Sequence, residues 1–233
     1  LLPRAKQTLF EQLPASGSLL DIGCLGFAQI EAARRAGRSD LRHFGVDYAP
    51  AAPTDVPEGF VFREADLRTD ALPFEDDQFD AVVANHVMEH VPDPIALVME
   101  CVRVCRPGGR VYLEAPSERS LWLPGVPFRH DLFCSFSYYD DPTHNSRPWT
   151  PQSLYRLARY LGCDTLATGH VTSAKYRLAF PVLLPWYFLT RNVLGLEQLL
   201  WHTIGWAAYA LIEKPASLAG KPQFKYYIPS RRG

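Results

Sequence analysis

Three aspartates recur at matching places along the first third of the chain: Asp21, Asp47 and Asp66 each follow a short apolar run that reads as a strand. A carboxylate just past a strand can accept paired hydrogen bonds from the hydroxyls of a ribose, and Asp47 suits that task, with Tyr48 beside it. Alone, each aspartate reads better as a turn or helix-capping residue. In series they favour a ligand site. Gly23 and Gly26 bracket Cys24 directly after the first run, where a missing side chain lets backbone approach a ligand closely. Asn85 and His86 close a fourth apolar run, and His86-Val87-Met88-Glu89-His90 spells the H-x-x-E-H pattern of some zinc peptidases. Zinc would need both histidines on one helical face plus a distant carboxylate. The pentapeptide instead follows a strand and precedes Pro92, so no metal is expected. His90, His130 and His144 are the candidates for moving a proton. His144, in the run Asp140-Asp141-Pro142-Thr143-His144, is the first choice for a base or substrate contact, set against a merely local loop hydrogen bond.

The elements that must position these residues alternate in type. Residues 3–13 read as a short amphipathic helix, 18–22 as a buried strand, 28–36 as a helix stopped by Gly37, and 41–46 as a second strand. Strands follow at 60–62 and at 79–84, the latter nearly continuously apolar, as a strand covered on both faces would be. Asp93 and Pro94 open a helix with Ile95, Val98, Val102 and Cys105 on one stripe, and Pro107-Gly108-Gly109 closes it. A fifth strand covers 110–115, Thr150-Pro151 opens another capped helix, and strands near 165–171 and 207–212 close the sheet. This alternation implies a parallel, doubly wound sheet with ligands at the carboxyl ends of its strands. Residues 116–149 and 174–206 interrupt the rhythm as two insertions, where substrate selection is expected.

Composition narrows the function classes. The 233 residues carry 24 basic and 25 acidic side chains, a formal net charge of −1, which argues against a nucleic acid partner. Five cysteines without paired spacing make no disulfide framework, and a reducing, cytoplasmic compartment is expected. Cys101 and Cys105 read as buried packing rather than half of a zinc site. The opening Leu1-Leu2-Pro3-Arg4 lacks the pattern of a signal peptide, and a start at Leu1 implies residues upstream. Pro181, Pro185, Arg191, Glu197 and His202 break up the apolar stretch 178–212, so no transmembrane helix is expected. Its aromatic segments, 185–189 and 199–201, are expected to be buried in the fold or in a homodimer sooner than to rest on a lipid surface.

Leu20-Asp21-Ile22-Gly23-Cys24, Gly45-Val46-Asp47, Ala65-Asp66-Leu67, Glu89-His90-Val91 and Arg106-Pro107-Gly108-Gly109 occur in one ordered series, and Arg147-Pro148-Trp149-Thr150-Pro151 follows. In these segments the chain resembles the class I, S-adenosylmethionine-dependent methyltransferases, specifically the broad small-molecule group. The resemblance runs from about residue 18 to 115 and implies a Rossmann-like, mostly parallel seven-stranded sheet with helices on both faces. It implies one domain over 1–233, with a cofactor-binding core at 18–115 behind an N-terminal helix at 1–17. The implied cofactor is S-adenosyl-L-methionine, held by Asp21, Gly23, Cys24, Gly26, Asp47, Tyr48, Asp66, Leu67, Asn85 and His86. Asp21 would hold its amino end, Asp66 its adenine amino group, and Leu67 its ring. The implied activity is methyl transfer to a small-molecule acceptor, foremost a hydroxyl oxygen of a sugar, glycan intermediate, quinone or secondary metabolite. The family loop reads G-x-G-x-G, whereas this chain has Gly23-Cys24-Leu25-Gly26-Phe27. Either the turn is rebuilt around Gly26 or cofactor binding has weakened, and the alternative function is a non-catalytic binding or scaffold protein on the same fold. A nicotinamide enzyme would place glycines at 23, 25 and 28, where Leu25 and Ala28 stand.

Overall fold

The computed structural model describes residues 2–48, 56–128 and 134–216. His130, Asp131 and Phe133 lie outside the described residues. Seven strands form one sheet: β1 (Ser18–Ile22), β2 (Arg42–Asp47), β3 (Val61–Glu64), β4 (Phe79–Asn85), β5 (Cys105–Pro116), β6 (Asp164–His170) and β7 (Ala207–Glu213), in the order β3-β2-β1-β4-β5-β7-β6. The first five pair in parallel, while β7 runs antiparallel to both β5 and β6. Chain order reverses beside β1, so the carboxyl ends of β1, β2 and β4 open onto one crevice.

Alternate side chains feed the two faces. Leu20 and Ile22 join one apolar cluster with Val98, Val102 and Leu154, and Leu19 joins a second with Leu9, Phe10 and Ala33. The first face is covered by α3 (Pro94–Val104) and α4 (Pro151–Tyr160), the second by α1 (Arg4–Glu11) and α2 (Ala28–Arg35). The caps read from sequence are made: Asp93 accepts from the backbone N–H of Ile95 and Ala96, and Thr150 and Ser153 cap each other reciprocally.

Two boundaries differ from expectation. Helix α3 stops at Val104, and β5 begins at Cys105 rather than Arg110. Arg106-Pro107-Gly108-Gly109 therefore lies inside the strand, at a register shift against β4 between Phe79 and Ala81. Gly109 is needed there because a Cβ would lie 2.7 Å from Cys105 Sγ and 2.8 Å from the Arg106 carbonyl oxygen. The apolar insertion is a helical hairpin, α5 (Ala174–Leu189) and α6 (Val193–Ile204), and α5 runs through both Pro181 and Pro185. Leu196 and Leu199 of α6 are buried, but α5 has no buried residue and exposes Leu178, Val182, Trp186 and Leu189. Burial within the fold thus accounts for α6 and not for α5. Among the described residues no helix is long and apolar enough to cross a membrane. The five cysteines are free, and Cys101 and Cys105 are both buried, as packing residues would be.

Lys214, just past β7, ties the sheet to the end of α3. Its buried Nζ donates to the carbonyls of Val102, Arg103 and Cys105 and to Asp77 Oδ1 at 2.6–3.2 Å. A cation there satisfies carbonyls that the end of a helix leaves open. Lys214→Met should lower the unfolding free energy by about 1–3 kcal/mol, the cost of stranding buried hydrogen-bonding groups. An unchanged midpoint in urea denaturation would show that those carbonyls find other partners.

Candidate active site

The loop after β1 is built from backbone. Gly23 has φ 72°, and a Cβ on it would stand 2.5 Å from Val87 Cγ2. Gly26 has φ 75° with open space around it, and Phe27 follows in the left-handed region at φ 52°. The turn is therefore rebuilt around Gly26, one residue later than the family pattern. Asp47 pins this loop to β2: Oδ2 accepts from Leu25 N at 3.2 Å and Oδ1 from Tyr48 N at 2.8 Å. A carboxylate has further lone pairs to offer a ligand. Cys24 turns away from the crevice into the core, and burial pushes its thiol up to about 12.

Gly23, Asp47, Tyr48, Asp66, Leu67 and His86 line one cavity of about 320 Å³, together with Leu25 and His90. Asp66 lies at its rim, bound by Arg68 at 2.7 Å, and that hydrogen bond draws its carboxyl down to about 2. Asp21 lies buried in β1, and burial raises its carboxyl well above the usual range against the pull of Lys6. Asn85 lines a second cavity, also about 320 Å³, between α1 and α2. Gly26 lines neither of these two. A wider cleft of about 650 Å³, bordered by Phe44, Arg63 and Phe74, contains none of these residues.

Between the two cavities sits a charge cluster at the tips of β4 and β5. His86, in the left-handed region at φ 55°, lies 3.1 Å through Nδ1 from Glu89 Oε1 and 3.4 Å through Nε2 from Glu114 Oε1. Burial pushes the His86 imidazole down, but the hydrogen bonds and charges of Glu114 and Glu89 outweigh it and lift His86 to about 10. Glu114 Oε2 also accepts from Tyr112 OH at 2.5 Å and lies 3.9 Å from Lys6 Nζ. Burial works against its ionisation, yet Lys6 and His86 hold its carboxyl at about 2. Lys6 donates to Asn85 Oδ1 at 2.6 Å, and burial lowers its ammonium from the usual value. His86 is thus an imidazolium clamped by carboxylates, not a free base.

The proton-transfer candidates separate. His90 and His144 lie with ring centroids 5.0 Å apart, at the junction of the β4 tip and the 134–149 segment. His144 is pinned: Nδ1 meets the Tyr138 carbonyl at 2.6 Å and its ring stacks on Tyr138 at 4.4 Å. Thr143 Oγ1 meets His90 Nδ1 at 2.9 Å, and Asn145 N donates to the Glu89 carbonyl at 2.7 Å. The H-x-x-E-H segment is a turn, and its two histidines take different partners. Glu89, His90 and His144 do bring ligand-type atoms within 4.8 Å of one another. Of the aromatics in this insertion, Phe136 packs with Val193 and Leu196 of α6, whereas Trp149 enters the main core.

Sequence reasoning missed Lys6, Gln29, Glu114 and His202, of which all four line the second cavity. The available signals were a lysine on the apolar face of α1 and a glutamate within the apolar run of β5.

Against known proteins, the methyltransferase domain model matches residues 20–113. An uncharacterized methyltransferase of Mycobacterium sp. is 36% identical over 210 residues, covering 82% of this chain and 76% of that protein. The chain belongs to the class I, S-adenosylmethionine-dependent methyltransferases. A ubiquinone biosynthesis O-methyltransferase of Neisseria meningitidis is 27% identical over 172 residues, 69% of this chain and 71% of that protein. In fold, a SAM-dependent methyltransferase from Archaeoglobus fulgidus matches with TM-score 0.57 at 22% identity, covering 89% of this chain and 88% of the other. The methyltransferase is an enzyme, and S-adenosylmethionine is its cofactor.

The clamp makes a stability prediction with a definite sign. His86 is raised, so its contribution is complete below 6.5 and is lost as pH rises toward about 10. Glu114 is lowered, so its contribution is complete above 4.5 and is lost as pH falls toward about 2. The stability difference between the protein and His86→Gln should therefore peak between those inner values and shrink on both sides. A difference flat from pH 5 to 9, measured by urea denaturation, would contradict the clamp.

Proposed function

We propose that this methyltransferase moves the methyl group of S-adenosylmethionine to a hydroxyl oxygen of a small molecule. The observation that carries this reading is the cavity at the strand ends lined by Gly23, Asp47, Asp66 and Leu67, with a second cavity lined by polar side chains around the neighbouring Asn85. The name of the Neisseria relative, an O-methyltransferase of ubiquinone biosynthesis, supports oxygen as the acceptor atom. A bound sulfonium supplies an already activated methyl group, so the protein's task is alignment, exclusion of water and removal of one proton.

In this reading Asp47 takes the ribose hydroxyls and Tyr48 flanks them. Leu67 packs on the adenine, whose amino group Asp66 accepts after giving up part of its contact with Arg68. Gly23, Cys24 and Gly26 contribute backbone only, since the Cys24 side chain is buried in the core. Asp21 faces the cationic amino end, which favours its carboxylate form. Asn85 and His86 stand at the methyl end. His90 and His144 stand on the insertion's side of the site, where hydrogen bonds from residues 143–146 to the β4 tip hold the insertion in place.

The closed, backbone-pinned loop favours this enzyme over a binding protein that has lost its cofactor. Asp47→Ala should weaken S-adenosylhomocysteine binding by about 1–3 kcal/mol, the cost of lost hydrogen bonds. Calorimetric titration measures it. Micromolar binding by the protein with unchanged affinity in the variant would sink the ribose assignment, and no binding by a folded protein would sink the enzyme reading of this site.

A further inference from the structure

Glu89, His90 and His144 each bring one atom of a metal-ligating type within 4.8 Å of those of the other two. Glu89 is 1% exposed, and its Oε2 is buried with no hydrogen-bond partner among the described residues. His86 takes the other oxygen, Oε1, at 3.1 Å. A buried carboxylate oxygen is nearly always paired, so Oε2 calls for a positive partner. Both neighbouring imidazoles are set for coordination by what their Nδ1 atoms touch. His144 Nδ1 meets the Tyr138 carbonyl at 2.6 Å, which takes an N–H, so the lone pair of the neutral ring is on Nε2. His90 Nδ1 meets Thr143 Oγ1 at 2.9 Å, and that hydroxyl gives its one proton to Asp141 Oδ1 at 2.6 Å. His90 Nδ1 therefore donates too, and its Nε2 carries the lone pair. A histidine that ligates a metal is held in this way, with its other nitrogen donating to a fixed oxygen. Hydrogen bonds from Asn145 and Ser146 to the carbonyls of Glu89 and Met88 fix the two segments against each other.

We propose that Glu89 Oε2, His90 Nε2 and His144 Nε2 form a binding site for a divalent transition-metal ion of the zinc class. Two imidazoles and a carboxylate suit such an ion better than magnesium or calcium, which take oxygen ligands. His86 on Oε1 and the ion on Oε2 share one carboxylate. Asp141 Oδ2, 3.9 Å from His144 Nε2 and beyond hydrogen-bond range, adds a second negative charge beside the ion. The H-x-x-E-H segment supplies only one of its histidines, and the second imidazole comes from the insertion, a pairing that no local motif shows. His90 also lines the cofactor cavity, so the positions that three protein ligands leave open lie beside it. Their use rests on the O-methylation reading above: an acceptor hydroxyl takes an open position and releases its proton to water more readily. Its oxygen then bonds to the methyl carbon while the carbon–sulfur bond breaks, the electron pair going to sulfur.

The test is titration of metal-free, tag-free protein with Zn²⁺ in calorimetry and with Co²⁺ by visible absorption. One ion per chain should bind, and the cobalt spectrum should lack the near-ultraviolet band of thiolate ligation. His144→Ala should abolish this binding. Thr143→Val, which frees the His90 ring, should weaken it about 10–100-fold. His43→Gln, near the amino end of β2, should leave it unchanged. Circular dichroism establishes that the variants fold. Protein that binds neither ion would overturn the proposal, as would full binding by His144→Ala. Azide should shift the cobalt spectrum by taking an open position, and an unmoved spectrum would overturn the use of the site by an acceptor. Protein that binds the ions but not S-adenosylhomocysteine would instead defeat the function proposed above and leave the metal site standing.

Discussion

Four ionisable side chains share a small volume at the tips of β4 and β5, and much of the site hangs on how they are neutralised. Moving a single charge of this kind out of water costs several kcal/mol even after relaxation. Lys6, Glu114, His86 and Glu89 meet that cost jointly, each facing an opposite charge, with Tyr112 OH and Asn85 Oδ1 adding hydrogen bonds. The arrangement holds only while α1 lies across the sheet, because Lys6 comes from that helix. It also holds His86 in a left-handed backbone conformation that a non-glycine residue seldom adopts, with its N–H on the Glu114 carbonyl at 2.8 Å. A pair of carboxylates on either side of one imidazolium is what makes that conformation worth keeping.

The same cluster divides the crevice. One cavity lies on the β1–β2 side and the other on the α1 side, with Asn85 and His86 as adjacent residues facing one each. No charge of the cluster between them can be removed singly without stranding its partner. The first pocket is kept open by geometry rather than by charge. Val87, next to His86, fills the space that a side chain at Gly23 would take, so the β4 tip and the loop after β1 fit only as a pair.

Much of the fold was legible because it depends on local patterns. The apolar runs of β1, β2 and β4, the Asp93-Pro94 cap and the Thr150 cap each announce themselves within a few residues. The exceptions depended on distant partners. Arg106-Pro107-Gly108-Gly109 looks like a helix stop in isolation, but β4 and β7 draw it into β5. Of the site, the aspartate series was visible because its members sit at strand ends, and the structure brings Asp47 and Asp66 to one cavity with Gly23 and Leu67. Cys24 could not be oriented from sequence, since its direction follows from the close approach of Gly45 and Phe60. Lys6 and Glu114 were invisible for a deeper reason: they are 108 residues apart and each makes sense only beside the other. In sequence His202 reads merely as an interruption of an apolar stretch.

The insertions follow from this division of labour. The segment after β5 docks on the β4 tip through backbone bonds to Met88, Glu89 and His90, while α6 brings Trp201 and His202 to the other side of His86. The Asp47 pin on Leu25 and the Gly23–Val87 contact are made by the loop after β1, β2 and the β4 tip, so their partners come from outside both insertions. By contrast, a change at His86 reaches both cavities, α1 and the stacked Trp201–Trp206 pair, whose rings each lie 5.9 Å from the imidazole. The charge cluster, and not the insertions, thus sets the border between the two cavities.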